Sequence, residues 1–462
     1  MKLARSTFLV AAAALLIGLS RYGFRARVPD DYDSIGFVLA LDDFDLARFQ
    51  PHFPGYPIYV ALGRLAHFFL RSPLDAATAV SAAASAATAF GVWRITSRIA
   101  SRGAAWCAIA LYAGAALPWI VGGAALSDGT AAALATLSFA ALLEERPILS
   151  GVLLSLMLGT RASYFPLAFS WVAILFIFQR RSLLRALVSS LLGTIAWMVP
   201  FVMMVRPQKL LELGRIHLHG HFSDWGGSVT TRPDLRLRAF SFARDLFYDG
   251  IAPRTWALAL LTVIALIAWR TRLPQSRPLI VVVAVAIALP YVLWALLGQN
   301  IVEQPRHLLP LVIALLIALG CLLGDQVWLA ISAIAVVLAA SFPLARAHAI
   351  TMPAAAQAAA YVENNYPSKT VAVFGGSAIR LFRFLTPSVV TLERTWLSEV
   401  DVDLERLDVL PPHILVTSEV AIDARRAPRL KKGPLFCRDA RLDRRQPCLQ
   451  LFEYSLAQGS AR

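Results

Sequence analysis

The chain is a succession of apolar runs broken by short clusters of arginine, and this alternation constrains the fold more than any other feature. Runs at 7–19, 76–95, 104–121, 129–143, 149–159, 164–178, 187–205, 256–269, 279–297, 308–323 and 327–342 read as eleven membrane crossings. Hydrophobic residues make up 58% of the 462 and charged residues 16%, with a mean hydropathy of +0.61. That leaves too little polar surface to cover a water-soluble globule, so the bilayer must be the solvent. A net charge of +15 could signal nucleic acid, but the basic residues gather between the runs, as a positive-inside bias predicts. Nucleic acid is therefore not expected as a partner.

Orientation follows from those clusters. Arg94, Arg98 and Arg102, then Arg180, Arg181 and Arg185, then the basic segment 270–277 mark the cytoplasmic side, although the last inner turn, 324–326, carries no positive charge. Lys2 and Arg5 precede the first run, which is short enough for a signal sequence yet lacks a convincing small-x-small cleavage site before Arg21. Eleven crossings place the N-terminus inside and the two long polar loops, 21–56 and 206–254, outside. The stretch 58–70 has helical apolar spacing but contains Arg64 and His67, which suits a helix lying on the outer surface, with Arg64 snorkelling to the headgroups. Several runs fall short of the roughly 20 residues of a full span, a pattern expected around a water-filled cavity. The preference for arginine over lysine and the compact loops point to a bacterial inner membrane.

Composition shifts at residue 344, so residues 1–343 read as the transmembrane domain and 344–462 as an extracytoplasmic α/β domain. In the tail a helix is expected over 354–364, a strand over 370–374, then Gly375-Gly376 and a helix from Ser377; no GxGxxG or GK[ST] phosphate loop is present. Cys437 and Cys448 lie together there and could close a disulfide in an exported domain, whereas Cys107 and Cys321 fall inside apolar runs.

Chemistry concentrates in the outer segments. The first loop contains Asp30, Asp31 and Asp33, continues through Asp42, Asp43 and Asp45 (surface or helix-start residues), and closes with Gln50-Pro-His-Phe-Pro-Gly-Tyr-Pro, in which His52 and Tyr56 are candidate substrate contacts. A carboxylate near the membrane interface is partly desolvated, which suits it to accept a proton. Asp31-Tyr-Asp33 also spells DxD, so a divalent metal stays an open alternative, with no cofactor assigned. Asp128 begins a run and reads either, like Ser127 beside it, as a helix cap or as a base partner or acceptor-positioning residue. Arg161 and Arg306, the latter followed by His307, stand where spans emerge; such charges need a partner, and a lipid phosphate would supply one through paired charge-assisted hydrogen bonds. In the second loop His217, His219 and His221, if extended, would present three imidazoles on one face beside Asp224 and Trp225. Metal binding, contact with sugar or phosphate, and interfacial structure are the readings there.

An acidic first outer loop followed by a Pro-Gly-Tyr-Pro turn, with Pro305-Arg-His-Leu-Leu-Pro before a late span and an exported tail, resembles the GT-C-fold glycosyltransferases, the superfamily of protein O-mannosyltransferases and lipid A aminoarabinose transferases. The resemblance implies a multi-span GT-C-like membrane fold and inverting transfer of a sugar from a polyprenyl-phosphate donor to a lipid, glycan or protein acceptor. It implies Asp33 as the base, with Asp31 sharing or replacing it and Asp128 as the second acid, and Arg161, Arg306 and His307 at the donor phosphate. The competing functions are a transporter or flippase for a lipid-linked or anionic solute, disfavoured by the lack of an internal repeat, and a membrane scaffold acting through its tail.

Overall fold

The computed structural model describes residues 2–272, 278–367, 370–406 and 411–455, with side chains described except at 2–6, 272 and 278–287. Part of the basic segment 270–277 and the last seven residues of the expected tail domain, 456–462, lie outside the described residues. The chain forms two compact units, Met1–Arg25 with Phe37–Ala349, and Ala26–Gly36 with Ile350–Arg462.

The first unit is helical. In chain order the helices are α1 (Lys2–Gly23), α2 (Tyr32–Asp42, within which the division between units falls), α3 (Pro57–Phe69), α4 (Pro73–Ile99), α5 (Arg102–Gly114), α6 (Ala116–Gly123), α7 (Ser127–Leu143), α8 (Pro147–Thr160), α9 (Pro166–Phe178) and α10 (Leu183–Val205). Then come α11 (Pro207–His219), α12 (Leu235–Ala243), α13 (Thr255–Arg272), α14 (Pro278–Gly298), α15 (Leu309–Leu323) and α16 (Val327–Ile350). Each apolar run of the sequence lies within one of these to within two residues, except 104–121, which is divided between α5 and α6. Among the described residues four helical segments are long and apolar enough to cross a membrane, five if a bent pair counts as one, and six further apolar helices are shorter.

Small residues let the helices approach. Ideal β-carbons on Gly151 of α8 and Gly193 of α10 would lie 2.2 Å from Ser189 Oγ and 2.3 Å from Ser155 Oγ, so each glycine accommodates a serine of the other helix. This is how helices pack when no hydrophobic driving force separates protein from lipid.

The bent pair is α5 and α6, which meet at 61°. Pro118 lacks an N–H for the carbonyl of Gly114 and its ring would clash with that carbonyl, so α5 ends at Gly114. The N–H groups of Ala116 and Leu117 donate instead to the carbonyls of Ile251 and Gly250, at 3.2 and 3.1 Å. Arg21, 1% exposed, donates to the Ala113 carbonyl at 2.7 Å and covers the Trp119 ring at 4.4 Å, so these backbone groups at the break are paired. Arg64, expected to snorkel, reaches the carbonyls of Ala40 and Leu41, both at 3.1 Å, because the end of α2 leaves them without helical partners.

The second unit carries α17 (Ala354–Asn365), β1 (Val371–Gly375), α18 (Ile379–Leu385), β2 (Val390–Glu393), α19 (Leu397–Glu405), β3 (His413–Thr417), β4 (Leu430–Cys437) and β5 (Cys448–Tyr454). The sheet runs β2-β1-β3-β5-β4, with β1 parallel to β2 and β3, and β5 antiparallel to β3 and β4. β1 is buried throughout, as a parallel strand covered on both faces must be. Cys437 and Cys448 face each other across β4 and β5 and are joined by a disulfide.

Candidate active site

In the first unit a buried ionic cluster forms where three helix ends meet. Asp128 lies in the first turn of α7, whose N-cap residue is Leu126. It is completely buried, with one carboxylate oxygen 3.2 Å from Arg161 Nη1 and 3.6 Å from Arg306 Nε. Of the two readings the sequence left open, the cap is therefore corrected: a burial this deep requires the charge to be paired, and the side chain turns to the arginines. Each arginine occupies a break before a proline-initiated helix. Arg161 follows α8 in extended backbone ahead of Pro166, and Arg306 sits in the 3₁₀ turn Pro305–Leu308 ahead of Pro310. Both side chains are at most 7% exposed.

The remaining contacts fix the cluster's geometry. Arg161 also donates to Ser127 Oγ at 3.1 Å and to His307 Nδ1 at 3.3 Å, which requires that nitrogen to be unprotonated. Its Nε is buried and has no hydrogen-bond partner among the described residues. Tyr291 donates to the His307 carbonyl at 2.9 Å, and Tyr164 packs edge-on against Tyr291 at 5.7 Å. Sequence reasoning weighed Ser127 only as a helix cap and missed Tyr164 and Tyr291. Polar-tipped tyrosines inside apolar runs were the available signal, since a hydroxyl placed there needs a partner.

A second constellation of the same unit joins the proline turn to α11. His52 stacks on His217 (5.9 Å, 18°), and His217 stacks on His221 (6.4 Å, 9°). Trp225 meets His217 edge-on at 5.1 Å, and the Tyr56 hydroxyl is hydrogen-bonded to His52 Nε2. The expectation of an extended segment is corrected here. Residues 207–219 are α-helical and 220–224 form a π turn, so His217 and His221 share a face while His219, two residues from each, points elsewhere. His219 is 73% exposed and lies 3.9 Å from Asp224. Among the described residues no group of three or more His, Cys, Asp or Glu side chains is arranged to hold a metal ion. Beside His219, Asp224 and Trp225 lies an open cavity of about 680 Å³, bordered also by Glu212 and Arg215.

The acidic segment belongs to the second unit. Asp31 Oδ1 accepts from the N–H and hydroxyl of Ser34, at 2.9 and 2.8 Å, which starts α2 and places Asp33 in its first turn. Asp30 pairs with Arg438 at 3.0 Å. Nearby, burial raises the Asp443 carboxyl above its ordinary value; the Gln446 N–H and Arg438 oppose that, and the charges of Asp31 and Asp30 add to it. Asp45, in the first unit, caps the 3₁₀ turn Leu46–Arg48, matching the helix-start reading. Partial desolvation raises its carboxyl, but the Ala47 N–H, Arg48 and Lys209 outweigh this and hold it low.

Apolar helices with a small C-terminal α/β unit, assembled in this order, make the GT-C type of membrane fold that the sequence resemblance pointed to. The structure of ArnT from Cupriavidus metallidurans bound to undecaprenyl phosphate superimposes with a TM-score of 0.58 at 14% identity, covering 97% of this chain and 98% of that one. Apo ArnT from the same organism gives 0.55 at 14% identity and 98% of both chains. The oligosaccharyltransferase of Archaeoglobus fulgidus in complex with Zn and sulfate gives 0.50 at 15% identity, over 88% of this chain and 67% of that one. No protein-family model matches the sequence, and no curated protein sequence matches it.

Proposed function

We propose that the chain is an inverting glycosyltransferase of the bacterial inner membrane. It moves a sugar from a polyprenyl-phosphate donor to a lipid, glycan or protein acceptor at the outer face, crosses the membrane eleven times, and has its N-terminus in the cytoplasm and its C-terminal unit outside. One observation carries the reading: in a fold shared with an undecaprenyl-phosphate-bound transferase, two buried guanidinium groups converge on a single carboxylate, and Arg161 keeps an Nε–H with no hydrogen-bond partner among the described residues. Two cations held around one acid favour an anion, and the planar forks match phosphate oxygens.

The acceptor oxygen or nitrogen attacks the anomeric carbon, and the bond from that carbon to the phosphate oxygen breaks with its electron pair leaving on the phosphate. Asp33 takes the acceptor proton, with Asp31 able to share the task. Arg161 and Arg306 neutralise the charge that develops on the departing phosphate, with His307 accepting from Arg161. Asp128 orients the two guanidinium groups; an acid committed to two arginines is not available to an acceptor. His52, Tyr56, His217, His219, His221 and Trp225 contact the sugar or the acceptor, the indole stacking on an apolar sugar face.

The test uses purified full-length protein, undecaprenyl-phosphate-linked sugars and a mixture of acceptors. Wild type releases free undecaprenyl phosphate, whereas Asp33→Asn binds undecaprenyl phosphate normally and releases none. Wild-type protein that never releases undecaprenyl phosphate refutes the assignment, and an active Asp33→Asn refutes the base.

A further inference from the structure

The acidic segment and the C-terminal hairpin belong to one compact unit, and their contacts have a definite architecture. β4 and β5 end on the paired residues Cys437 and Cys448, which the disulfide joins, closing residues 438–447 into a loop. The Arg438 N–H donates to the Pro447 carbonyl at 2.7 Å, so the loop is closed a second time at its base. Inside it, Asp439 accepts from the Arg441 N–H and Asp443 from the Gln446 N–H, both at 2.9 Å, so short-range turns shape it.

From this loop Arg438, whose side chain is 1% exposed, donates to Asp30, which is itself largely buried. The opposite grip comes from α18, where Arg380 lies over the Tyr32 ring at 4.3 Å. Between these two anchors Asp31 folds back on Ser34. Asp30, Asp31 and Tyr32 are thus each restrained by a different contact, and Asp33 follows directly.

We propose that the disulfide-closed loop 438–447 is the clamp that positions the acidic segment for transfer, with Arg438 and Arg380 as positioning residues and the Cys437–Cys448 bond holding Arg438 in place. The inference rests on the reading of Asp33 as the base. A buried arginine–carboxylate contact fixes direction as well as distance, and a displacement of about 1 Å in a reacting group costs on the order of 100-fold in rate. Activity then depends on disulfide closure, which occurs outside the cytoplasm. Asp443, beside Asp30 and Asp31, adds negative charge that Arg438 offsets.

Hydrogen exchange of the full-length protein tests the clamp directly. In the Cys437→Ser/Cys448→Ser and Arg438→Met variants, exchange over residues 28–36 rises about tenfold or more, the scale of one lost charge-assisted hydrogen bond. Exchange of β1 and β3 stays as in wild type, and Arg438→Lys recovers most of the protection. Undecaprenyl phosphate binding is unchanged, while release of undecaprenyl phosphate from its linked sugars is lost with Arg438→Met and recovered with Arg438→Lys. Unaltered exchange at 28–36, or loosening of β1 and β3 to the same extent, overturns the proposal. A segment that loosens as expected in a protein whose wild type releases no undecaprenyl phosphate leaves the clamp standing and removes the transferase reading. Release by wild type with an unmoved segment removes the clamp alone.

Discussion

Replacing Asp128 with asparagine removes the one charge that the two buried arginines share, and the structure sets the scale of the effect. At an effective dielectric of about 20, approaches of 3.2 and 3.6 Å correspond to roughly 5 kcal/mol each before desolvation is counted. Most of that offsets the cost of burying the charges, and removing one member of a buried pair costs about 3–5 kcal/mol because its partner is left uncompensated. Two arginines are left here, so Asp128→Asn falls at the upper end, and Asp128→Glu, which keeps the charge, loses far less. Thermal unfolding of detergent-purified full-length protein measures the loss. Undecaprenyl phosphate adds the discriminating arm: where it replaces the missing negative charge, it stabilises Asp128→Asn more than wild type. Ligand at 100 times its dissociation constant adds about 2.7 kcal/mol, so the tighter-binding variant gains more at equal concentration. A variant that melts within about 0.5 kcal/mol of wild type, or that undecaprenyl phosphate stabilises less than wild type, refutes the claim that this carboxylate supplies the negative charge that a phosphate can replace between the two arginines.

Three further outcomes are expected. Arg161→Lys cannot reach Ser127, Asp128 and His307 together, so undecaprenyl phosphate affinity falls about tenfold or more, measured by ligand-induced thermal shift. Gly151→Ala places a methyl 2.3 Å from the Ala186 carbonyl, which is backbone and cannot turn away, so about 1–3 kcal/mol of stability is lost in thermal unfolding. Asp443 has a raised value in the folded unit, so the folded form holds its proton more tightly than the unfolded chain does. That contribution to stability is complete below about pH 3.8 and fades as the pH rises through the folded value. Asp443→Asn therefore flattens the dependence of unfolding on pH in this range and stabilises the protein at neutral pH; a variant whose dependence matches wild type refutes the assignment.

Much of the fold was legible because the bilayer imposes a period on the sequence. A run such as 187–205 has to be a helix if it meets lipid, since no other local structure pairs its own backbone, and α10 (Leu183–Val205) is that helix. The tail was equally readable: the apolar strand before Gly375-Gly376 is β1, the helix expected at 354–364 is α17, and the two cysteines of the tail are joined. The histidine segment was misread because alternation suggested a strand, whereas local bonding over 207–219 made a helix and turned His219 away from its neighbours.

The sequence by itself determined the class of solvent, the positions of the apolar helices and the residue types able to bind a phosphate or take a proton, because each follows from local composition. Only the tertiary structure decided which of these meet. Asp128, Arg161 and Arg306 lie far apart in the chain, and nothing local to any of them specifies a shared contact. The same holds for Asp30 and Arg438, more than 400 residues apart in sequence and 3.0 Å apart in space. Their pairing exists because burying a charge is costly without a partner, a penalty felt only once the packed helices and the sheet have excluded water around them.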